Sequence, residues 1–533
     1  MPKYALTLGS DYFSRESEPS VRAYFGRVRV GQPKVYDTPF AKGETTSTLL
    51  KKWMEILVSV RSNWPTLWKF EKDLAEKVGP LSVMKPLSER MTDIDHYYEG
   101  IHLPSTPIMN RAVSAVISEW RLGDRIQVRD MGRTVQNMKL STNSGNPYFA
   151  RRRKVVGNTI PCEIHPYKQY LNMNLAGNNW LGTAILGWRG QEGGPKPGDV
   201  KQRVVWMFPF SVNIRELQVY QPLIEYAQRY NIVPAWVSME QVDKEITNLF
   251  DTKNSNDLIV CTDFSKFDQH FNADMQDVAR SVLANILRAN KTTLDWLTNV
   301  FPVKYSIPLL IDNQRLVHGN HGMGSGSGGT NADETIAHRA LQYEAAMVKG
   351  ARLNPHSMCL GDDGILSYPG ITVDDVVEVY TSHGQEMNEI KQYASTQDCV
   401  YLRRWHHKDY RIGGVCAGVY STCRALGRMR YLERYYDPEV WGPKAVALRQ
   451  LSILENVKYH PLRMEFAHFC MERDKYRLGI DIPGFLDNIE VEARRAIDQM
   501  PDFLGYTKTL QSLKDPTGGI ADWWIVKYLK SLA

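Results

Sequence analysis

Two aspartates stand side by side in Gly361-Asp362-Asp363-Gly364, between the short apolar runs Ser357-Met358-Cys359-Leu360 and Ile365-Leu366-Ser367-Tyr368. Gly and Asp tolerate the backbone angles of a tight turn, so the spacing predicts a β-hairpin carrying both carboxylates at its tip. Alone, such a tip is ordinary turn chemistry. A second acidic element changes the reading. The run Leu258-Ile259-Val260-Cys261 predicts a strand that ends at Asp263, and Asp268 follows in Asp263-Phe264-Ser265-Lys266-Phe267-Asp268. Magnesium favours a few carboxylates completed by phosphate oxygens and water over an all-protein cage. A strand-end Asp facing a hairpin-tip Asp pair supplies that set for two ions about 4 Å apart.

The surrounding pattern is mixed helix and strand. Met275, Val278, Ala279, Val282, Leu283 and Ile286 mark one face of an amphipathic helix behind Asp263. Gly319–Gly329 is a glycine-dense loop, and the segment from Thr330 to Lys349 reads as a helix closed by Gly350. Upstream, the first 70 or so residues alternate apolar runs with polar turns. Residues 71–140 look mainly helical, with Ile108, Ala112, Ala115 and Val116 at helical spacing. Ser141 to Lys154 is turn-rich and basic. The glycines and prolines of Gly190–Asp199 predict a surface loop, which leads into the basic, strand-like Lys201–Val205. From about residue 405 the chain reads as helix-rich and, at first, basic.

Composition narrows little. Lys and Arg exceed Asp and Glu by 65 − 59 = 6, too small an excess to identify a nucleic-acid binder unless the charge clusters. Seven scattered cysteines with no C-x-x-C pair suit a reducing compartment better than a disulfide framework. Cys399, His406, His407 and Cys416 match no standard zinc spacing. No signal-peptide pattern and no run of ~20 apolar residues is present, so a soluble, intracellular protein is expected. The length suggests three or four domains.

With Ser325-Gly326-Ser327-Gly328-Gly329-Thr330 between them, the two acidic elements resemble motifs A, B and C of viral RNA-dependent RNA polymerases. Further resemblances fall into order around them. Thr142-Asn143-Ser144-Gly145-Asn146-Pro147 is similar to motif G, which guides the incoming template, and Lys201 with Arg203 to the basic motif F. Gly384 to Lys391 is similar to motif D, and Leu402-Arg403-Arg404 to motif E. The wording of these motifs is similar to that of picobirnavirus polymerases, relatives of the partitivirus and cystovirus enzymes. A reverse transcriptase shares the metal carboxylates but normally has an aromatic before x-Asp-Asp and a bulky sugar gate, where this chain has Leu360 and Asp268. No G-x-x-x-x-G-K-[ST] occurs, which excludes a P-loop NTPase. A viral structural or RNA-packaging protein gives no reason for seven ordered motifs.

The resemblance implies an α+β fold, a closed right hand of fingers, palm and thumb with an antiparallel palm sheet flanked by helices. It implies this division: 1–70, an N-terminal extension bridging fingers and thumb; 71–255, fingers; 256–290, palm; 291–318, a return to the fingers; 319–405, palm; and 406–533, thumb with the C-terminal segment. Asp263 and Asp362 would be direct ligands of two Mg2+ ions, for which Mn2+ could substitute, and Asp363 a supporting ligand. Asp268 would accept a hydrogen bond from the ribose 2′-hydroxyl. Lys201, Arg203, Ser325, Gly326, Thr330 and Asn331 would line the nucleotide site, and Lys391 would protonate pyrophosphate. RNA contacts would fall to Ser144, Gly145, Arg151, Arg152, Arg153, Lys154, Arg403, Arg404, Arg424 and Arg428, with Arg430 nearby. The implied partners are RNA template and product duplex, ribonucleoside triphosphates and a capsid protein, with no membrane, in the virion interior and host cytoplasm. Motif B departs from the family at Glu334, where an Asn is usual. Asn331-x-x-Glu334 also reads as a helix capping box. Asp522-Trp523-Trp524 either stacks under a first base in primer-free initiation or anchors the chain's tail on the thumb.

Overall fold

The computed structural model describes residues 5–7, 12–167, 170–497, 499–500 and 515–533. At its centre lies a four-stranded antiparallel sheet in the order Met358–Leu360, Asp363–Leu366, Ile259–Thr262, Tyr393–Ser395. The helix Ala273–Ile286 backs it and buries the six residues read from the sequence; the Asn272 side chain caps it, accepting from Met275 N. Asn110–Trp120, Phe210–Arg229, Thr330–Val348 and Val373–Thr381 share the same apolar core. The Thr330–Val348 helix stops as expected, with Gly350 at φ +63 and Ala351 N donating to the Ala346 carbonyl.

On one side, a five-stranded sheet runs in the order Ala5–Thr7, Arg315–Val317, Leu309–Leu310, Ala184–Gln191, Lys201–Met207. Its Ala184–Gln191 and Lys201–Met207 strands are antiparallel, with Arg189 opposite Arg203. On the other side, the helices Thr46–Leu57 and Pro65–Ala75 join Thr422–Arg430, Pro443–Glu455, Arg463–Met471 and Trp524–Leu532 around a separate core. The N-terminal stretch therefore reaches both flanks. Ala5–Thr7 pairs with Arg315–Val317, and Tyr36–Asp37 pairs with Tyr431–Leu432.

Several local readings shift. The first 70 residues contain the helices Glu18–Val30 and Thr46–Leu57, whose apolar faces are completed by residues far along the chain. The helix after the basic stretch begins within it, at Arg152. Past residue 405 the strand Arg404–His407 continues and Val419–Tyr420 follows before helices take over. All seven cysteines are free and buried. Among the described residues no helix is long and apolar enough to cross a membrane.

Candidate active site

The hairpin forms at the expected place, with Leu360 opposite Asp363. Gly361 takes φ +59 in the turn, a conformation a Cβ would strain, and the Glu334 and Asn331 side chains lie over it. Because Thr262 pairs with Gly364 on the adjacent strand, Asp263 leaves the sheet beside the tip. Gln392 fixes it there: its Oε1 accepts from Asp263 N at 2.7 Å and its Nε2 donates to the Asp263 carbonyl at 2.8 Å. Gln392 sits in a polar stretch with no periodic signal, and sequence reasoning missed it.

Asp263 and Asp362 are exposed to the cleft, whereas Asp268 is buried and accepts from Arg203 Nη2 at 3.3 Å. Glu334 lies beside Asp268, buried, with no hydrogen-bond partner for Oε1. Burial first, then the charges of Asp268 and Asp362, push its pKa well above the carboxylate range. The cleft walls desolvate Asp362, and Asp268 and Asp263 raise it further. Burial and then Asp362 push the Asp363 carboxyl up to about 7. Desolvation raises Asp263 too, against Lys391, Lys77 and Lys201. A cluster that penalises its own carboxylates is short of positive charge, which a hard divalent cation would supply. Among the described residues no three His, Cys, Asp or Glu side chains converge into a ready-made cage. Asp263 and Asp362, both exposed, could serve an ion that takes its remaining ligands from phosphate oxygens and water. Asp363 differs from its neighbour, since its Oδ2 accepts from Leu402 N at 2.8 Å and ties the tip to the turn at Leu402-Arg403.

The expected capping box is absent. The Thr330–Val348 helix starts with Gly329 as N-cap and no side-chain cap, because Glu334 turns toward Asp268 and Asn331 Oδ1 accepts from Trp236 Nε1 at 2.8 Å. In the preceding loop, Ser325 Oγ accepts from Trp206 N at 3.3 Å, and Gly326 packs against the Trp206 carbonyl too closely for any Cβ. Thr330 Oγ1 donates to the loop carbonyls of Gly324 and Ser327, each at 3.3 Å. Glu216, also missed, anchors the loop from the Phe210–Arg229 helix by accepting from Ser327 Oγ and from Gly328 N at 3.2 Å. Along the Thr330–Val348 helix, Thr335, His338, Arg339 and Gln342 all hydrogen-bond to backbone of the hairpin or the segment leading into it. That i, i+3, i+4, i+7 polar stripe on a buried helix was legible as a pattern but not as a contact.

Lys201 and Lys391 are exposed, and both charges act on Asp263. Ser144 and Gly145 shape their own turn: Ser144 Oγ accepts from Ala150 N, and Gly145, at φ +62, backs onto the Phe208 carbonyl. Arg151, Arg153, Lys154 and Arg403 are exposed. Other expected RNA-contacting cations are engaged within the protein. Arg152 donates to Asn213 Oδ1 at 2.9 Å and lies over the Phe210 ring. Arg404 grips Asp243 at 2.9 and 3.1 Å, and Arg430 donates to the Thr38 carbonyl. Arg424 and Arg428 both pair with Glu192, at 3.2 and 2.8 Å. At the chain's end, Trp523 is buried in the flanking core and Trp524 stacks on Tyr528.

Residues 196–455 match the family model described as viral RNA-dependent RNA polymerase. A human picobirnavirus protein, named a potential RNA-dependent RNA polymerase, is 59% identical over 531 residues, covering 99% of each chain. The crystal structure of the RNA-dependent RNA polymerase of a human picobirnavirus superposes with TM-score 0.95 at 56% identity, over 99% of this chain and 100% of that one. The insertion-loop deletion mutant of such a polymerase gives 0.93 at 55%, with the same coverage.

Proposed function

The chain belongs to the viral RNA-dependent RNA polymerases, and from that premise we propose that it copies and transcribes a double-stranded RNA genome by two-metal nucleotidyl transfer. It is an RNA-directed RNA polymerase with the α+β right-hand fold of its solved relatives, and its substrates are RNA and ribonucleoside triphosphates. What supports the mechanistic reading is the placement of Asp263 beside the Asp362-Asp363 tip, where all three carboxyls sit above their usual range.

In this reading Asp263 and Asp362 hold two Mg2+ ions, or Mn2+ in their place, with Asp363 in support. Bound metal would supply acidification of the primer 3′-hydroxyl and charge neutralisation at the triphosphate. The chain's own groups do the rest. Lys201 and Arg203 hold the phosphates, Ser325, Gly326, Thr330 and Asn331 shape the nucleotide site, and Lys391 Nζ hands a proton to the departing pyrophosphate. Asp268, freed from Arg203, accepts from the ribose 2′-hydroxyl, and a buried group built for a hydroxyl rejects the sugar that lacks one. Ser144, Gly145, Arg151, Arg152, Arg153, Lys154, Arg403, Arg404, Arg424 and Arg428 line the RNA path, and phosphate contacts there position without reading sequence.

The strand pairings at Ala5–Thr7 and Tyr36–Asp37 support assigning residues 1–70 as a bridge between fingers and thumb. The remaining divisions, 71–255, 256–290, 291–318, 319–405 and 406–533, follow the family pattern. We extend the reading to primer-independent initiation, a capsid-protein partner, and action in the virion interior and host cytoplasm. Trp523 and Trp524 anchor the tail on the thumb, as their packing supports. The test uses purified protein, an RNA template, magnesium and labelled ribonucleotides or deoxyribonucleotides. RNA product is expected. DNA product would make the chain a reverse transcriptase, and retained RNA without synthesis a packaging protein.

A further inference from the structure

We propose that Thr335 and His338 are positioning residues for Asp362, gripping both backbone polar atoms of Gly361, the residue before it. This rests on the reading of Asp362 as a metal ligand. Gly361 N donates to Thr335 Oγ1 at 2.9 Å, and His338 Nδ1 donates to the Gly361 carbonyl at 2.8 Å. A carbonyl can only accept, so Nδ1 carries the imidazole proton. Thr335 and His338 lie three residues apart on one helix face, so a single rigid rod fixes the orientation of the residue before Asp362.

The surroundings of His338 explain why a polar ring stands there. It is fully buried, caged by the rings of Phe264, Phe267 and Tyr380. Its Nε2 has no hydrogen-bond partner. A hydrocarbon would fill that cage with nothing to desolvate, so the imidazole is present for its one bond to the turn. Further along the same face, Arg339 donates to the Ser357 carbonyl at 2.6 Å, and Gln342 donates to Met358 and Ile365 carbonyls at 2.9 and 3.2 Å. Those contacts hold the strands. Of the four polar residues on that face, Thr335 and His338 are the two that hydrogen-bond to the tip. Gly361 needs this grip because its left-handed turn has no side chain of its own to lock it.

The experiment compares wild type, Thr335→Val, His338→Leu, His338→Asn and Asp362→Ala in RNA-templated synthesis. It records kcat, KM for the ribonucleotide, the magnesium concentration giving half-maximal rate, and the unfolding midpoint. Thr335→Val and His338→Leu should lose about 10- to 100-fold in kcat, as small misplacements at reacting centres do. Their half-saturating magnesium should rise about 10-fold, in the range of supporting-shell losses, with nucleotide KM unchanged. His338→Asn, which can place an N–H near the Nδ1 position, should recover most of both. Loss of rate with an unchanged magnesium requirement would overturn the proposal, as would His338→Asn no better than His338→Leu, or both deletions fully active. If His338→Leu fails to fold, near-isosteric Thr335→Val decides alone by the same criteria. An inert wild type, or an Asp362→Ala variant as active as wild type, would instead overturn the polymerase reading beneath it.

Discussion

Glu71 and Glu334 are both buried glutamates, and the protein treats them in opposite ways. Glu71, on the helix Pro65–Ala75, accepts from Ser421 Oγ at 3.0 Å, Thr422 N at 2.7 Å, Cys423 N at 3.1 Å and His460 Nε2 at 3.1 Å. Burial would raise its pKa, but His460 and the helix-start N–H groups bring it below the usual value. Glu334 has Asp268 and Asp362 for neighbours and an oxygen without a partner, and its pKa goes up. One carboxylate is satisfied by its own chain and welds the N-terminal segment to the flanking helices. The other lies in a cleft that, in the proposed mechanism, would take further counter-charge from bound metal. Stability and catalysis draw on the same functional group and differ in who supplies the counter-charge.

The largest contrast should come from Asp362→Ala, which is expected to lose about 1000-fold or more in nucleotide incorporation, beyond the usual cost of one stabilising contact. Its unfolding midpoint without metal should not fall. Residual synthesis near the wild-type rate would break the contrast. Glu71→Gln should do the reverse, costing about 3 kcal/mol of folding stability by leaving donors mismatched in the core. Denaturant unfolding checks this, and an unchanged midpoint would show the Glu71 node to be incidental. Asp363→Asn should lower activity about 10-fold and alter the preference for Mn2+ over Mg2+ without erasing synthesis. Equal, complete loss in Asp362→Asn and Asp363→Asn would make the two aspartates equivalent.

Acid separates the regions by sign. Glu71 has a depressed folded-state pKa, so its contribution is present above the ordinary carboxylate range and is lost as pH falls through its folded value. Asp363 is raised to about 7, so the folded state holds its proton longer than the unfolded chain. Its charging penalty therefore grows as pH rises from about 4 to about 7 in metal-free buffer. Difference stability curves for Glu71→Gln and Asp363→Asn against wild type should slope in opposite directions, and parallel curves would refute the distinction. The smallest effect is expected from Glu334→Gln, which mimics the protonated acid and should shift stability by less than about 1 kcal/mol.

The cleft was the more legible of the two regions. The Asp362-Asp363 hairpin, the strand before Asp263 and the helix behind it follow from local period and turn chemistry, because each element's pattern is complete within its own residues. The Glu71 node is not local. Its partners lie 350 to 389 positions away, and a Glu in an amphipathic helix gives no sign that it caps another. The same limit explains why Asn331 read as part of a capping box: the spacing was right, but Trp236 and Asp268, brought in by other segments, compete for the two side chains. It explains Arg404 and Arg152 as well, whose charge was visible while Asp243 and Asn213 were not.

The Glu192 carboxylate, on the loop that joins two strands of the five-stranded sheet, occupies Arg424 and Arg428 on the opposite flank. Both arginines, with Arg403, hold its pKa down against burial. On the proposed template path, an arriving phosphate would exchange with this carboxylate instead of displacing a diffuse atmosphere of salt ions. The gain in small-ion entropy that makes RNA binding salt-dependent would then come mainly from Arg151, Arg153, Lys154 and Arg403. Counting basic residues along the path would overstate how steeply affinity falls with ionic strength.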